Sequence, residues 1–212
     1  MTLFAGHGLA CRRGERLVFT GLSFRIAGGE VLLLRGPNGS GKSSLLRCMA
    51  GLLTPVAGTQ TWDDKPIALD LDAHRGRLRY LGHQDAVKPA LTVLENLALW
   101  QQLHGVRDSA AIRRAVAALG LDGLSALPAR LLSAGQRRRV ALARLLAAPA
   151  PLWLLDEPTT TLDDEGIERF ARMVGGHCDG GGLVVLSSHG DPGLDGKALA
   201  LPDFTPPEEA AA

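Results

Sequence analysis

Three short, uninterrupted runs of apolar residues constrain the fold of this chain more than any other feature. They lie within residues 30–35, 152–155 and 183–186, each beside Gly or Pro, and polar residues follow each run. A strand that is covered on both faces is continuously apolar, whereas a half-exposed strand alternates. We therefore predict an α/β fold with a buried parallel sheet, in which ligands bind beyond the carboxyl ends of the strands.

The composition limits the size and the partners of the molecule. With 212 residues, of which 46% are hydrophobic, the chain can build one ordinary domain but not two separate enzyme domains. Its 23 basic and 22 acidic residues give a net charge of +1, so we expect no nucleic-acid partner. The 3 cysteines have no paired spacing, which favours a reducing compartment. We also expect the chain neither to cross a membrane nor to be exported, since it has no long apolar stretch or leader.

The remaining pattern predicts the other elements. Partly alternating residues predict two N-terminal strands, near 3–10 and over 16–24. Apolar spacing predicts helices over 44–51, 92–104, 109–119, 136–147 and 163–174. We interpret residues 1–212 as one domain, with an inserted helical subdomain at about 88–134 and a flexible tail at 203–212.

A glycine-rich loop follows the first apolar run and precedes a predicted helix, and it fits the phosphate-loop pattern GxxxxGK[ST]. The glycines let backbone N–H groups converge on phosphate oxygens, and the start of the helix adds partial positive charge. We expect the lysine to reach the β and γ phosphates and the serine after it to bind Mg²⁺. The predicted nucleotide-binding residues are Gly36, Pro37, Asn38, Gly39, Ser40, Gly41, Lys42, Ser43 and Ser44.

Two acids, Asp156 and Glu157, follow the second apolar run. An unpaired carboxylate is costly at the end of a buried strand, so a cation is expected close by. Asp156 is suited to binding the Mg²⁺ of the phosphate loop, and Glu157 to acting as the base for an attacking water. Taken alone, the pair could also be an ordinary surface turn before Pro158.

A third motif, Leu-Ser-Ala-Gly-Gln at residues 132–136, precedes a basic helix that starts with three arginines. Ser133 can cap this helix and direct its amides at an anion. By itself, the motif is more often a capped helix with a solvated basic face.

These motifs in this order resemble the ATP-binding subunits of ABC transporters, over nearly the whole chain. The resemblance implies a phosphate-loop core, an N-terminal antiparallel β region and a helical subdomain that carries the signature motif. It assigns Gln84 to Mg²⁺ and the attacking water, His189 to the γ-phosphate, and Ser133, Gly135, Gln136 and Asp163 to nucleotide sites shared between subunits. Catalysis then depends on Lys42, Gln84, Glu157 and His189, and the metal on Ser43, Gln84 and Asp156.

A narrower resemblance is to the ATP-binding subunits of cytochrome c maturation (haem exporter) transporters. It is carried by the opening segment 11–16, by residues 82–97 and by the signature with its arginines. It implies ATP and Mg²⁺ as cofactors, a head-to-tail homodimer, membrane-subunit partners and a peripheral position on the cytoplasmic face of the inner membrane. Arg13 stands where most relatives stack an aromatic residue on adenine, and its guanidinium could stack instead.

There are three kinds of alternative function, the first of which has two forms. The chain could drive another small exporter, or be a soluble ABC ATPase with no transporter. A GTPase-type switch would need an NKxD motif, which the sequence lacks. A non-catalytic ATP-binding module would not need Lys42, Glu157 and His189.

The segment 85–100 carries more apolar side chains than a small helical subdomain should bury, among them Leu91, Leu94, Leu97 and Trp100. We predict that some of them are exposed and form a groove for a helix of a membrane subunit.

Overall fold

The computed structural model describes residues 2–188, 190 and 192–206, which form two β-sheets flanked by helices. The strands are β1 (Leu3–Arg13), β2 (Arg16–Ala27), β3 (Val31–Arg35), β4 (Ala57–Trp62), β5 (Lys65–Pro66), β6 (Leu78–Leu81), β7 (Leu152–Asp156), β8 (Leu183–Ser187) and β9 (Lys197–Ala200). The α-helices are α1 (Lys42–Met49), α2 (Leu71–Gly76), α3 (Val93–Leu103), α4 (Ser109–Ala118), α5 (Ala134–Ala147) and α6 (Asp164–Asp179).

The three apolar runs are the central strands of a parallel sheet, as predicted. Its order is β6-β7-β8-β3-β9, with every neighbouring pair parallel. Successive side chains of β7 enter different cores, because strand residues alternate between faces. Leu152 and Leu154 face the core shared with α1 and the second sheet, whereas Trp153 and Leu155 face the core shared with the larger helices. Both faces of the sheet are therefore covered.

The second sheet is the predicted N-terminal antiparallel region. Its order is β2-β1-β4-β5, and β1 pairs with both β2 and β4. Phe4, Phe19 and Leu22 are fully buried from this sheet and share a core with Leu45 and Leu46 of α1. This packing places the β1–β2 turn beside the start of α1.

The predicted helices all exist, with ends that differ by a few residues. The largest difference is α6, which continues to Asp179 instead of ending at 174. Helices α3 and α4 pack on α5 and form the helical layer beyond the parallel sheet. Within the described residues, no helix is both long enough and apolar enough to cross a bilayer.

The segment predicted to be a flexible tail begins inside a short 3₁₀ helix, Leu201–Phe204, whose first residue is fully buried. This turn packs against the phosphate-loop region, since a Cβ on Gly36 would lie 3.1 Å from Pro202 Cδ. Residues 207–212 of the predicted tail lie outside the described residues.

Candidate functional site

The predicted phosphate loop connects the end of β3 to the first residue of α1. Gly41 is the N-cap of α1, with φ of 102°, and it has no side chain to cap the helix. A Cβ at this position would lie 2.6 Å from Val18 Cγ1, so the loop can approach β2 only with glycine here. The first amides of α1 therefore receive no side-chain cap and remain suited to an anion.

Lys42 extends back over the loop. Its Nζ donates to the carbonyl oxygens of Gly36 at 2.7 Å and Pro37 at 2.9 Å, and the residue is only 6% exposed. An ammonium has three donors, so these two bonds fix the side chain while its charge remains directed at the loop. This arrangement fits a lysine that contacts phosphate oxygens.

A pocket of about 350 Å³ opens over this loop, and it joins the loop to the β1–β2 turn and to the end of β7. Its lining includes the predicted residues Arg13, Asn38, Gly39, Gly41, Lys42, Ser43, Ser44 and Glu157. Arg16 and Val18 also line it and were not predicted. The sequence could have indicated both residues, because they lie on the same predicted hairpin as Arg13. Pro37 and Ser40 line a smaller adjoining pocket of about 230 Å³.

The acidic pair is held by a serine from the neighbouring strand. Ser187 Oγ donates to Asp156 Oδ1 at 2.8 Å and accepts from the backbone N–H of Glu157 at 3.0 Å. Glu157 has φ of 50°, a left-handed conformation that is uncommon for a residue with a side chain. The chain thus turns sharply at Glu157, and the turn brings this residue to the pocket.

The residues present fit a bound Mg²⁺. Asp156 is 4% exposed, and no Lys or Arg among the described residues forms an ion pair with it. A buried carboxylate of this kind favours a nearby cation. In the described part of the chain, no group of three or more His, Cys, Asp or Glu could hold a metal alone. A hard cation at this site would be bound by oxygen donors. These are the Ser43 hydroxyl, oxygens of a nucleotide and the carboxylate of Asp156.

The signature motif lies outside this pocket. Ser133 is the N-cap of α5, and it forms a capping box in which its Oγ accepts from Gln136 N and its N–H donates to Gln136 Oε1. Gly135 packs against the chain near Asp163, because a Cβ on it would lie 2.7 Å from Thr161 O. Asp163 in turn caps α6, accepting from Gly166 N at 2.9 Å. These predicted residues form a second surface that does not line the phosphate pocket.

One of the three arginines that follow the signature is buried. The alternative interpretation of this helix, in which its whole basic face is solvated, is therefore wrong. Arg138 is 3% exposed, and its guanidinium donates to the carbonyl oxygens of Asp156 (2.9 Å), Glu157 (2.7 Å) and Pro158 (3.0 Å). It also donates to the carbonyl oxygen of Gly82 (3.3 Å) and to the carboxylate of Asp85 (3.0 Å).

The predicted residue Gln84 lies between the two loop residues that Arg138 contacts, Gly82 and Asp85. Gln84 is exposed, in a loop that α5 holds through Gly82 and Asp85. Arg144, two turns further along α5, also donates to this loop, at Ala86 O (2.9 Å), and burial lowers its pKa to about 10. His189 lies outside the described residues.

Comparisons with known proteins agree with this geometry. The sequence family described as ABC transporter matches residues 19–160. A cytochrome c biogenesis ATP-binding export protein from Rhodospirillum rubrum is 53% identical over 211 residues, which cover 99% of this chain and 90% of the relative. A protein of the same description from Paramagnetospirillum magneticum is 50% identical over 210 residues, covering 97% of each chain.

Solved structures confirm the fold. An ABC transporter ATP-binding protein from Pyrococcus furiosus superimposes with a TM-score of 0.85, at 23% identity, over 96% of this chain and 100% of that one. The cbiO1 protein of Clostridium perfringens, part of an ABC transporter complex, gives 0.75 at 24% identity over 88% and 78% of the two chains. From the family match and the relatives together, this chain belongs to the ABC transporter family and, within it, to the cytochrome c biogenesis ATP-binding export proteins.

Proposed function

We propose that this chain hydrolyses ATP in the pocket over the phosphate loop and thereby energises a cytochrome c maturation (haem export) transporter. The observation that carries the proposal is the pocket itself, which combines the uncapped start of α1, Lys42 and Glu157. The relatives described as cytochrome c biogenesis ATP-binding export proteins support the choice of pathway over another small exporter or a soluble ABC ATPase.

The side chains divide the chemistry among themselves. The amides of the loop bind the phosphate oxygens, and Lys42 offsets charge that spreads over them during transfer of the γ-phosphoryl group. Glu157 accepts a proton from the attacking water, which Gln84 orients. Ser43, Gln84 and Asp156 would hold Mg²⁺, which supplies charge neutralisation at the phosphates when bound. Arg13 and Arg16 of the hairpin line the pocket, and a guanidinium from this hairpin would stack on the base.

A second copy of this chain completes the site in this proposal. Ser133, Gly135 and Gln136 lie on a surface apart from the chain's own phosphate pocket. In a head-to-tail homodimer, the signature of one copy would close over the nucleotide of the other. His189 and Asp163 would contribute at the same interface, as the family resemblance implies.

Substitution of Glu157 by Gln tests the hydrolysis step. The amide keeps the shape of the side chain but cannot accept the proton of water, so we expect ATP binding to survive and turnover to fall by roughly 1,000-fold or more. Trapped ATP should hold two copies together. Size-exclusion chromatography with and without Mg-ATP should therefore show a shift to dimer.

A monomer under saturating Mg-ATP would contradict the paired arrangement. Rapid turnover by Glu157→Gln would remove Glu157 from the chemistry. Wild-type protein with a chelator in place of Mg²⁺ is the matched control, since it should bind weakly and stay monomeric.

The docking groove for a membrane subunit needs one correction. Leu97 is fully buried in the helical layer, so it cannot contribute to a groove. The exposed large apolar residues of α3 are Leu94, at 40%, and Leu103, at 67%. Leu91 and Trp100 are half-buried. We propose that the exposed leucines of α3 contact the membrane subunit, on the cytoplasmic face of the inner membrane.

Charged substitutions on α3 test the docking surface. Leu94→Glu and Leu103→Glu should leave the ATPase rate in solution unchanged, because the pocket lies elsewhere, and should lower the membrane-bound fraction after cell breakage. Leu69→Glu is a control, because Leu69 is an exposed leucine (81%) outside the helical layer. If Leu94→Glu and Leu103→Glu stay on the membrane, the docking surface is not on α3. If they abolish ATPase in solution, these leucines are structural.

A further inference from the structure

The guanidinium of Arg138 is the contact point between three parts of the molecule. Arg138 lies on α5, a little more than one turn after Ser133. Its donors reach the turn after β7, at Asp156, Glu157 and Pro158. They also reach the loop after β6, at Gly82 and Asp85.

These contacts surround the two residues that the proposed function places at the attacking water. In the loop, Gly82 and Asp85 lie on either side of Gln84. In the turn, the carbonyl of Glu157 itself and those of both its neighbours accept from Arg138. One planar, rigid fork therefore contacts the chain on both sides of both residues, through backbone carbonyls and, at Asp85, through the side-chain carboxylate.

The turn at Glu157 needs such support. Its left-handed backbone, with φ of 50°, is disfavoured for a residue with a side chain and persists only where the surroundings hold it. Ser187 holds the N–H side of the turn, and Arg138 holds the carbonyl side. A lysine has the same charge but no fork, so it could not reach three carbonyls and the second loop together.

We propose that Arg138 is a positioning residue for ATP hydrolysis, one that sets Glu157 and Gln84 relative to each other and ties both to the signature helix. The inference rests on the proposed roles of Glu157 and Gln84. Because α5 begins at the signature serine, a shift of this helix on contact with a second copy would move both groups at once. The signature could thus affect the water as well as the nucleotide.

The first test is the Arg138→Lys variant. We expect kcat to fall by roughly 10- to 100-fold, because the reacting groups lose their alignment. The affinity for ATP should stay within about threefold, because in the described part of the chain Arg138 forms no hydrogen bond or ion pair with the phosphate loop. Steady-state kinetics give kcat and KM, and labelled nucleotide gives the affinity.

Arg79→Lys is the matched control. Arg79 is also a buried arginine (5% exposed) that donates to backbone carbonyls, at Ala148 and Pro149, but these precede β7 instead of following it. Its substitution should lower the Tm and leave kcat within about twofold. If Arg138→Lys lowers the Tm without lowering kcat, or lowers affinity as much as kcat, Arg138 is structural and the inference is wrong.

The second test uses Asp85→Asn, which remains informative if Arg138→Lys fails to fold. Asp85 is partly exposed, so its amide should be tolerated, and we expect kcat to fall by roughly 3- to 10-fold with the Tm unchanged. In the double variant, kcat should equal that of Arg138→Lys within about twofold, because Asp85 acts through the guanidinium. Losses that multiply, or an unchanged kcat in Asp85→Asn, would overturn the inference.

Failure of the proposed function would give different experimental results. In that case the wild-type chain would not hydrolyse ATP, or Glu157→Gln would retain full turnover, whatever residue stands at 138. An active wild type with an inactive Glu157→Gln and a normal Arg138→Lys would reject the positioning role alone.

Discussion

The N-termini of α1 and α5 each lie in a motif that the sequence associates with anion binding. They differ in how their backbone N–H groups are hydrogen-bonded. At α1, the cap is Gly41, which has no side chain, and a pocket lies in front of it. At α5, Ser133 and Gln136 satisfy each other's backbone N–H groups in a complete capping box. The first end leaves donors for a ligand, whereas the second is already stable in the absence of one.

This difference indicates that the phosphate loop and the signature have different roles in nucleotide binding. The phosphate loop supplies affinity, because its free amides and Lys42 gain partners when an anion binds. In the proposed homodimer, the signature supplies a rigid surface that would contact the nucleotide bound by the other chain. A single copy of the chain should therefore bind ATP well and hydrolyse it poorly.

The largest effect is expected at the first N-terminus. Lys42→Ala should weaken ATP binding by roughly 100-fold, about 3 kcal/mol, because a buried charge that faces the phosphates is lost. Equilibrium titration with labelled ATP measures it. Unchanged affinity at physiological Mg²⁺ would remove the phosphate loop from the mechanism and end the contrast between the two helices.

An intermediate effect is expected at the second N-terminus. Ser133→Ala should cost about 1 kcal/mol of stability through loss of the cap, and should lower ATPase by roughly 10-fold without weakening ATP binding to one copy. Thr92→Ala is the control, because Thr92 and Glu95 form the same capping box on α3. It should cost similar stability and leave the ATPase rate intact.

Equal ATPase losses in Ser133→Ala and Thr92→Ala would show that the cap matters only for folding. Weaker ATP binding by monomeric Ser133→Ala would mean that the two N-termini share one site within the chain.

The smallest effect is expected at the opposite end of α1, where His74 Nε2 hydrogen-bonds to Met49 O at 2.7 Å. Burial lowers the pKa of His74, although this hydrogen bond acts in the other direction. A lowered pKa means that the associated stability is present above about pH 6.5 and is lost as the pH falls through the folded-state pKa. Thermal unfolding between pH 7.5 and 5 should therefore show a shallower fall in Tm for His74→Gln than for wild type.

Burial also lowers the pKa of His104 and His177, so part of the acid sensitivity should survive in His74→Gln. Parallel Tm curves for the two proteins would show that His74 contributes nothing to it.

The central sheet was predictable because its strands are covered on both faces and are therefore continuously apolar. Strands β3, β7 and β8 were visible as apolar runs, but β4 and β6 were not. In β4, Gly58, Thr59 and Gln60 interrupt the apolar pattern, and Gln60 is buried because it donates to Cys48 O. In β6, the sequence suggests that Arg79 faces solvent, but it is buried and donates to carbonyls of the segment before β7. Such long-range partners leave no local signal.

The same limit applies to the site. The loop from Gly36 to Ser43 was recognisable because its chemistry is local and its spacing is fixed. Arg138 was indistinguishable in sequence from Arg137 and Arg139, because only the fold brings Gly82 and Pro158 within reach of one of the three. The roles of Gln84, His189 and Asp163 stay predictions from the family resemblance.

The position of β3 in the parallel sheet has a consequence for synthesis of the protein. Among the described residues, its partners are β8 and β9, which lie far towards the other end of the chain. A ribosome that adds about 5–20 residues per second releases β3 roughly 8 to 30 seconds before these partners emerge. The antiparallel hairpin of β1 and β2 can form early, but β3, which leads into the phosphate loop, has no strand partner in its own sheet during this interval. A nascent chain therefore acquires its nucleotide pocket only near the end of translation, and unfinished copies should neither capture nor consume ATP.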